Sequence, residues 1–187
     1  LARRIGVVFQ ETFQDFPLRV YDMVALGRSP HLSGIGFLTS EDQKIVGRAI
    51  RDMGVEDLRD QSIAAISGGE RQRVFIARTL AQQVGILLLD EPTTHLDIGH
   101  QFEMQQYLLD LHRQRNMTLV VVSHDLNMVS SFCDSLLLLH QGRVVGCGSP
   151  SDVLTEKIVQ ELYDCPVQVD RHPLTGVPRF TILERKP

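Results

Sequence analysis

The 187 residues carry 19 Lys and Arg against 23 Asp and Glu, a formal net charge of −4, with 43% hydrophobic and 22% charged residues. That balance describes a folded chain of one domain, or one domain with a sizeable insertion, and excludes a disordered segment. It also excludes a non-specific nucleic-acid binder, which needs a broad basic field. The longest aliphatic runs have four residues, against the ~20 that a membrane-spanning helix requires.

Arg3 and Arg4 are followed by too short an apolar stretch for a secretory leader, and none is expected. Cys133, Cys147 and Cys165 are odd in number and never in CxxC spacing, which reads as reduced thiols of a cytoplasmic protein.

In chain order, Ile5–Phe9 reads as a strand already under way. Val20–Leu26 reads as a helix stopped by Gly27, and a loop with Pro30, Gly34 and Gly36 follows. Ser40 and Gln43 have the spacing of a capping box, so Ser40 is expected to open a helix with Ile45, Ala49, Ile50 and Met53 on one face, ended by Gly54. After Ser67 strands and helices alternate. Ile86–Leu89 and Thr118–Val122 are aliphatic runs of the kind expected of strands buried on both faces. Helices are expected over Ile98–Arg113 and Leu126–Phe132, and a hairpin joins Leu136–Leu139 to Val144–Cys147 across Gln141-Gly142. Ser149-Pro150 starts another helix, with proline in the first turn. The tail pairs Val167–Val169 with Phe180–Leu183. The pattern is a parallel α/β core interrupted early by a mostly helical insertion.

Two acids end the strand Ile86–Leu89. Carboxylates at the C-terminal edge of a parallel sheet stand where ligands of such folds bind. Adjacent strand residues face opposite ways, and Pro92 is expected to break the strand so that Asp90 and Glu91 take separate tasks. Asp90 suits Mg²⁺ held through its water shell, and Glu91 suits a base that polarises water for attack on a phosphate. Read alone, they are equally two solvated acids at a strand end. Ser67-Gly68-Gly69-Glu70 has capping-box spacing, with two glycines that let a phosphate approach a helix N-terminus. Read alone, it is a well-capped helix. Glu70 would repel an anion unless it folds back onto the Ser67 amide. His124 follows a strand and can donate to a phosphate oxygen; Gln10 ends the first strand with a neutral amide able to reach Mg²⁺ or water.

In combination and in this order, these motifs resemble the ATP-binding subunits of ABC transporters. Gln10 matches the Q-loop, Ser67-Gly68-Gly69-Glu70-Arg71-Gln72 the signature, Ile86–Glu91 the Walker B strand, Thr94-His95-Leu96-Asp97 the D-loop, and His124 the switch histidine. Ile66 and Glu70 replace the usual leucine and glutamine. The resemblance implies a P-loop NTPase-like (RecA-like) parallel sheet core formed by residues 1–11 and 84–187, and a helical subdomain over 12–83. It implies Glu91 and His124 as catalytic residues and Gln10, Ser67, Gly68, Gly69, Glu70, Asp90 and Asp97 as nucleotide-site residues. ATP is the implied ligand, with Mg²⁺ near Gln10 and Asp90. The implied partners are a second ATPase subunit, membrane permease subunits and, indirectly, a substrate-binding protein outside the membrane, with no nucleic acid.

No glycine here is followed by lysine, so no G-x-x-x-x-G-K-[ST] loop lies in these residues. The resemblance therefore implies a chain cut before the Q-loop, as a gene fragment, a partial sequence or a deliberately shortened chain. The stretch Leu26-Gly27-Arg28-Ser29-Pro30-His31, with Thr93–Gln101 and His172–Pro178, is similar to importers of iron chelates, haem and cobalamin. DNA-repair relatives place a long coiled coil between Q-loop and signature, but Gln10 and Ser67 are only 57 positions apart with no heptads between them. Translation-associated relatives carry two cassettes and a charged linker, absent here. The 187-residue chain alone is expected neither to bind ATP tightly nor to hydrolyse it, because the phosphate loop supplies most β/γ-phosphate contacts in such enzymes. Calorimetric titration with Mg-ATP checks this; micromolar binding at one site per chain would overturn it.

Overall fold

A computed structural model describes residues 1–10, 17–32, 36–94 and 96–184; Gly34 and His95 lie outside them. Contacts divide the chain into two units, 1–122 and 123–187.

In the first unit a parallel sheet runs in the order β1 (Ile5–Val8), β2 (Ile86–Asp90), β3 (Thr118–Val122). Val8 pairs with Leu89, and Leu89 with Val121. The alternation of strand side chains then puts Val8, Leu87, Leu89, Leu119 and Val121 on one face, and these join the hydrophobic core. The other face carries Ile86, Val120 and Val122, the last two 45% and 57% exposed. The expectation of strands buried on both faces is therefore corrected. Aliphatic composition alone does not say how many faces are covered, and here the core packs on one.

Three helices that precede β2 contribute to that core: α1 (Val20–Ala25), α2 (Ser40–Asp52) and α3 (Gly68–Ala81). α3 contributes Val74, Phe75, Ile76, Ala77, Leu80 and Ala81. Glycine lets it approach closely on two sides. A Cβ on Gly6 of β1 would collide with the Thr79 side chain, and one on Gly27 with the Arg78 carbonyl oxygen. Gly27 is thus no helix stop: α1 runs on into a 3₁₀ turn over Leu26–His31 that contains it. Val20, Met23 and Val24 of α1 are buried and Leu26 is half exposed. α2 begins one residue earlier than its capping pattern suggested. Thr39 is the N-cap, its Oγ1 accepting from the Asp42 amide at 3.1 Å and its own amide donating to Asp42 Oδ2 at 2.9 Å. Val46, Ala49, Ile50 and Met53 are buried as the helical period requires.

Arg28 reinforces this cap. Its Nε donates to Asp42 Oδ1 at 2.7 Å, and its Nη1 to the Ala81 carbonyl (2.8 Å) and Gln83 Oε1 (2.9 Å). His31 Nε2 meets the Gln82 carbonyl at 2.7 Å. The 26–31 turn thereby joins the start of α2 to the end of α3, where a helix leaves carbonyls unsatisfied.

α4 (Ile98–Arg115) follows β2 and packs Met104, Leu108 and Leu111 inward. The second unit begins with α5 (Leu126–Phe132) and the hairpin of β4 (Leu136–His140) and β5 (Arg143–Gly148). Gln141 and Gly142 both have positive φ, the requirement of a tight two-residue hairpin turn. α6 (Pro150–Val153), α7 (Glu156–Tyr163) and the antiparallel pair β6 (Val167–Arg171) and β7 (Pro178–Ile182) complete it. It has its own core of Leu126, Val129, Leu136, Leu138, Val153, Val159 and Val167.

Hydrogen bonds from Thr39, first from its side chain and then from its backbone, and then the bond from Arg28 hold the Asp42 carboxyl at about 2, below its ordinary 3.8. Since the folded value is the lower one, Asp42 contributes its full stability above about pH 4 and loses it as pH falls through about 2. Asp42→Ala is expected to cost about 3–5 kcal/mol at neutral pH by leaving Arg28 buried and unpaired. It should also flatten the acid limb of the stability curve, both read by urea unfolding of the full-length protein across pH.

Candidate functional site

The C-terminal edge of the parallel sheet gathers Gln10, Asp90 and Glu91. Gln10 is exposed, two residues beyond β1. Asp90 is still within β2, in register with Val122 and half-buried. The strand is broken at Glu91, before the proline held responsible in the sequence. Glu91 has φ of 49°, a left-handed conformation that costs a non-glycine residue roughly 1–2 kcal/mol. Surrounding bonds enforce it. The Glu91 amide donates to the Val122 carbonyl at 3.0 Å, the Thr94 amide to the Glu91 carbonyl at 3.2 Å, and Thr94 Oγ1 to Glu91 Oε2 at 2.8 Å. The Glu91 carboxylate is turned to Thr94, whose hydroxyl orients it.

At the other cluster, two helix N-termini stand side by side. Ser67 Oγ accepts from the Glu70 amide at 3.3 Å, and the Ser67 amide donates to Glu70 Oε2 at 2.8 Å, the full capping box. These same bonds, from the Ser67 side chain and then its backbone, hold the Glu70 carboxyl below its usual range. Glu70 is thus folded back, the condition that lets an anion approach this helix end. Arg71 Nη2 secures the preceding turn through the Ile66 carbonyl at 3.2 Å. Gly68 is exposed, with open space where a Cβ would stand.

Gly69 faces Leu96 and His100. Asp97 is the N-cap of α4, accepting from the His100 amide at 2.9 Å and meeting its Nδ1 at 2.8 Å, bonds that depress its carboxyl. A shallow groove lined by Gly69, Arg73, Leu96, His100 and Met104 joins the two helix ends. Arg73 is tied down by Glu103 at 3.2 Å and lies over the Tyr107 ring. The structure thus brings Ser67–Glu70 to Asp97, and Gln10 to Asp90 and Glu91. His124 lies in the second unit, exposed, in the turn between β3 and α5.

Sequence reasoning named Thr94 and His100 only within matched stretches and gave them no role of their own, and it missed Arg73. Each stands three positions from a residue it did single out, the spacing at which side chains meet in helices and turns. Among the described residues no group of three His, Cys, Asp or Glu could hold a metal ion. The oxygen donors at the edge, Asp90 and Gln10, instead fit a hard cation that keeps most of its waters.

A parallel sheet with helices packed on it and paired acids at its C-terminal edge defines a P-loop NTPase-like α/β domain. The chain superposes on a solved metal-chelate type ABC transporter in an inward-facing conformation with a TM-score of 0.89 at 30% identity, over 97% of this chain and 73% of that one. It is 37% identical over 185 residues to FepC, the ferric enterobactin transport ATP-binding protein of Escherichia coli K12, covering 99% of this chain and 68% of FepC. It is 38% identical over 182 residues to BtuD, the cobalamin import ATP-binding protein of Halobacterium salinarum, covering 97% of this chain and 45% of BtuD. The description "ABC transporter" matches residues 1–94, and the chain belongs to that family as an ATP-binding domain.

Ser67→Ala is expected to destabilise α3 by about 0.5–2 kcal/mol in urea unfolding, and Ser67→Gly by only a few tenths, because glycine is tolerated at an N-cap. Equal losses would remove the cap from its role.

Proposed function

We propose that the protein containing this chain hydrolyses ATP to drive import of an iron chelate, haem or cobalamin across a prokaryotic membrane, bound peripherally at its cytoplasmic face. The single observation that carries this reading is the pair of acids at the end of β2, Asp90 still within the strand and Glu91 held in a left-handed conformation with its carboxylate bonded by Thr94. The ferric enterobactin and cobalamin functions of similar proteins favour the cargo class. No helix among the described residues is long and apolar enough to cross a membrane, so the translocation path would belong to permease subunits. A substrate-binding protein would deliver the cargo. The 1–11 and 84–187 segments would act as the ATPase core and 12–83 as the helical subdomain that transmits its movement.

In this reading Asp90, with Gln10, holds the water shell of Mg²⁺, which when bound neutralises phosphate charge. Glu91 accepts a proton from the attacking water, and Thr94 keeps its carboxylate in the orientation for that transfer. His124 donates a hydrogen bond to the terminal phosphate. Ser67, Gly68 and Gly69 offer the N-terminus of α3 to the nucleotide of a second copy of the protein, arranged head to tail. Glu70 stays folded onto the Ser67 amide, which keeps its carboxylate off the amides of Gly68 and Gly69. Asp97 lies beside this surface and would line the same subunit interface. Leu26, half exposed on the 3₁₀ turn, could meet a permease, whereas Val24 is buried and serves the core.

Glu91→Gln in the full-length protein is expected to keep ATP binding and to lower turnover by about 10²–10⁴-fold, since an amide cannot take the proton from water. It should accumulate an ATP-bound dimer visible by gel filtration. Ser67→Arg should abolish hydrolysis without weakening ATP binding to its own subunit. Retention of more than half the turnover by Glu91→Gln would remove Glu91 as the base.

A further inference from the structure

The turn that carries His124 is held from three directions, all within the second unit. Ser123 Oγ accepts from the Asp125 amide at 3.1 Å. Asp125 Oδ1 caps α5 through the Met128 amide at 2.9 Å. The third hold comes from far along the chain: the Tyr163 hydroxyl donates to the His124 carbonyl at 2.9 Å, across 39 positions. The first two bonds are local to the turn. The third ties the histidine's own peptide to the last residue of α7.

Tyr163 is itself fixed. Its ring stacks on Phe180, with centroids 5.6 Å apart and planes inclined by 22°. Phe180 is in turn gripped by Asn127 of α5. The Asn127 Nδ2 donates to the Phe180 carbonyl at 3.0 Å, and the Phe180 amide donates to Asn127 Oδ1 at 2.9 Å, as a neighbouring strand would. Ser130 Oγ adds a bond to the Pro178 carbonyl at 3.0 Å. The contacts therefore close a ring: His124, α5, Asn127, β7, Phe180, Tyr163 and back to the His124 carbonyl. Tyr163 is 41% exposed, and the stack on Phe180 and the bond to the His124 carbonyl are what hold its hydroxyl. Burial, then the charge of Asp125, raises the phenol above its usual range.

We propose that Tyr163 is a positioning residue for His124, its hydroxyl fixing the peptide that carries the imidazole so that the C-terminal α7 and β7 set the histidine's readiness for the phosphate. This rests on the reading of His124 as a phosphate-contacting residue. Tyr163 touches no reacting atom; it acts through the backbone of the residue that does. Misplacing such a group by a fraction of an ångström weakens its bond to the transition state more than substrate binding, which is made by other residues.

The test is a double-mutant cycle on steady-state ATP hydrolysis by the full-length protein. Tyr163→Phe keeps the ring and its stack and removes only the hydroxyl. It is expected to lower kcat about 3- to 10-fold, the size of one lost neutral hydrogen bond, with KM for ATP and the thermal midpoint unchanged. His124→Ala is expected to be severely impaired, and adding Tyr163→Phe to it should lower the residual rate no further. Phe180→Leu, which loosens the ring without touching the hydroxyl, should give a smaller fall in kcat. A wild-type kcat in Tyr163→Phe, or the same fold loss with and without His124, would overturn the positioning role while leaving His124 in place. Wild-type hydrolysis by His124→Ala would overturn the reading of His124 and the role of Tyr163 with it.

Discussion

The buried Arg28 guanidinium holds the first unit together at the point where three segments meet. It lies 5% exposed between the N-cap of α2 and the last carbonyls of α3, bonded to Asp42, Ala81 and Gln83. A charge so placed is stabilising only while every donor has a partner, so the turn, the cap and the helix end are fixed together. The consequence reaches 14 residues along α3. With its C-terminal end anchored and its flank wedged against Gly6 and Gly27, the helix has one position available. Ser67 and Glu70 are presented at its other end by that constraint.

The sheet edge works by a different device. A regular strand would send adjacent carboxylates to opposite faces, and a flexible loop would leave them to wander. The left-handed Glu91 does neither. Its amide continues the ladder to Val122 while its side chain is turned to Thr94. The strained backbone is retained because three hydrogen bonds over-determine it, the usual circumstance of strain at a functional site.

The two capped helix ends share a further logic. Both Glu70 and Asp97 bond the amides of their own helix starts, so each acid is held in place as the cap of the helix it begins. In the second unit the same economy appears as Asn127 standing in for a strand partner along β7. Short-range capping and long-range pinning thus divide the labour: one shapes each helix end, the other says where that end is held.

That division also separates what was legible from the sequence. The Ser67–Glu70 box, the Gln141-Gly142 turn and the proline-led α6 all depend on partners within about four residues, and their residue types declare them; the strand ending in Asp90 is declared by its aliphatic run, although its pairing partners are distant. The order of the motifs was enough to indicate the family. What the sequence left open mostly involves partners far along the chain. Arg28 engages Asp42 from 14 positions away, whereas the Thr39–Asp42 box that displaces Ser40 as the cap of α2 is local and was hidden by the similar Ser40–Gln43 spacing. Gly27 reads as a helix stop until α3, 51 residues on, is seen to press against it. Tyr163 means nothing until α7 brings it to the carbonyl of His124. Local hydrogen-bonding preferences are properties of the residue types and their spacing, so the sequence determined the elements and their caps. Close approach, one-sided burial and the support of His124 arise only when distant segments exclude water together, and tertiary packing alone decided them.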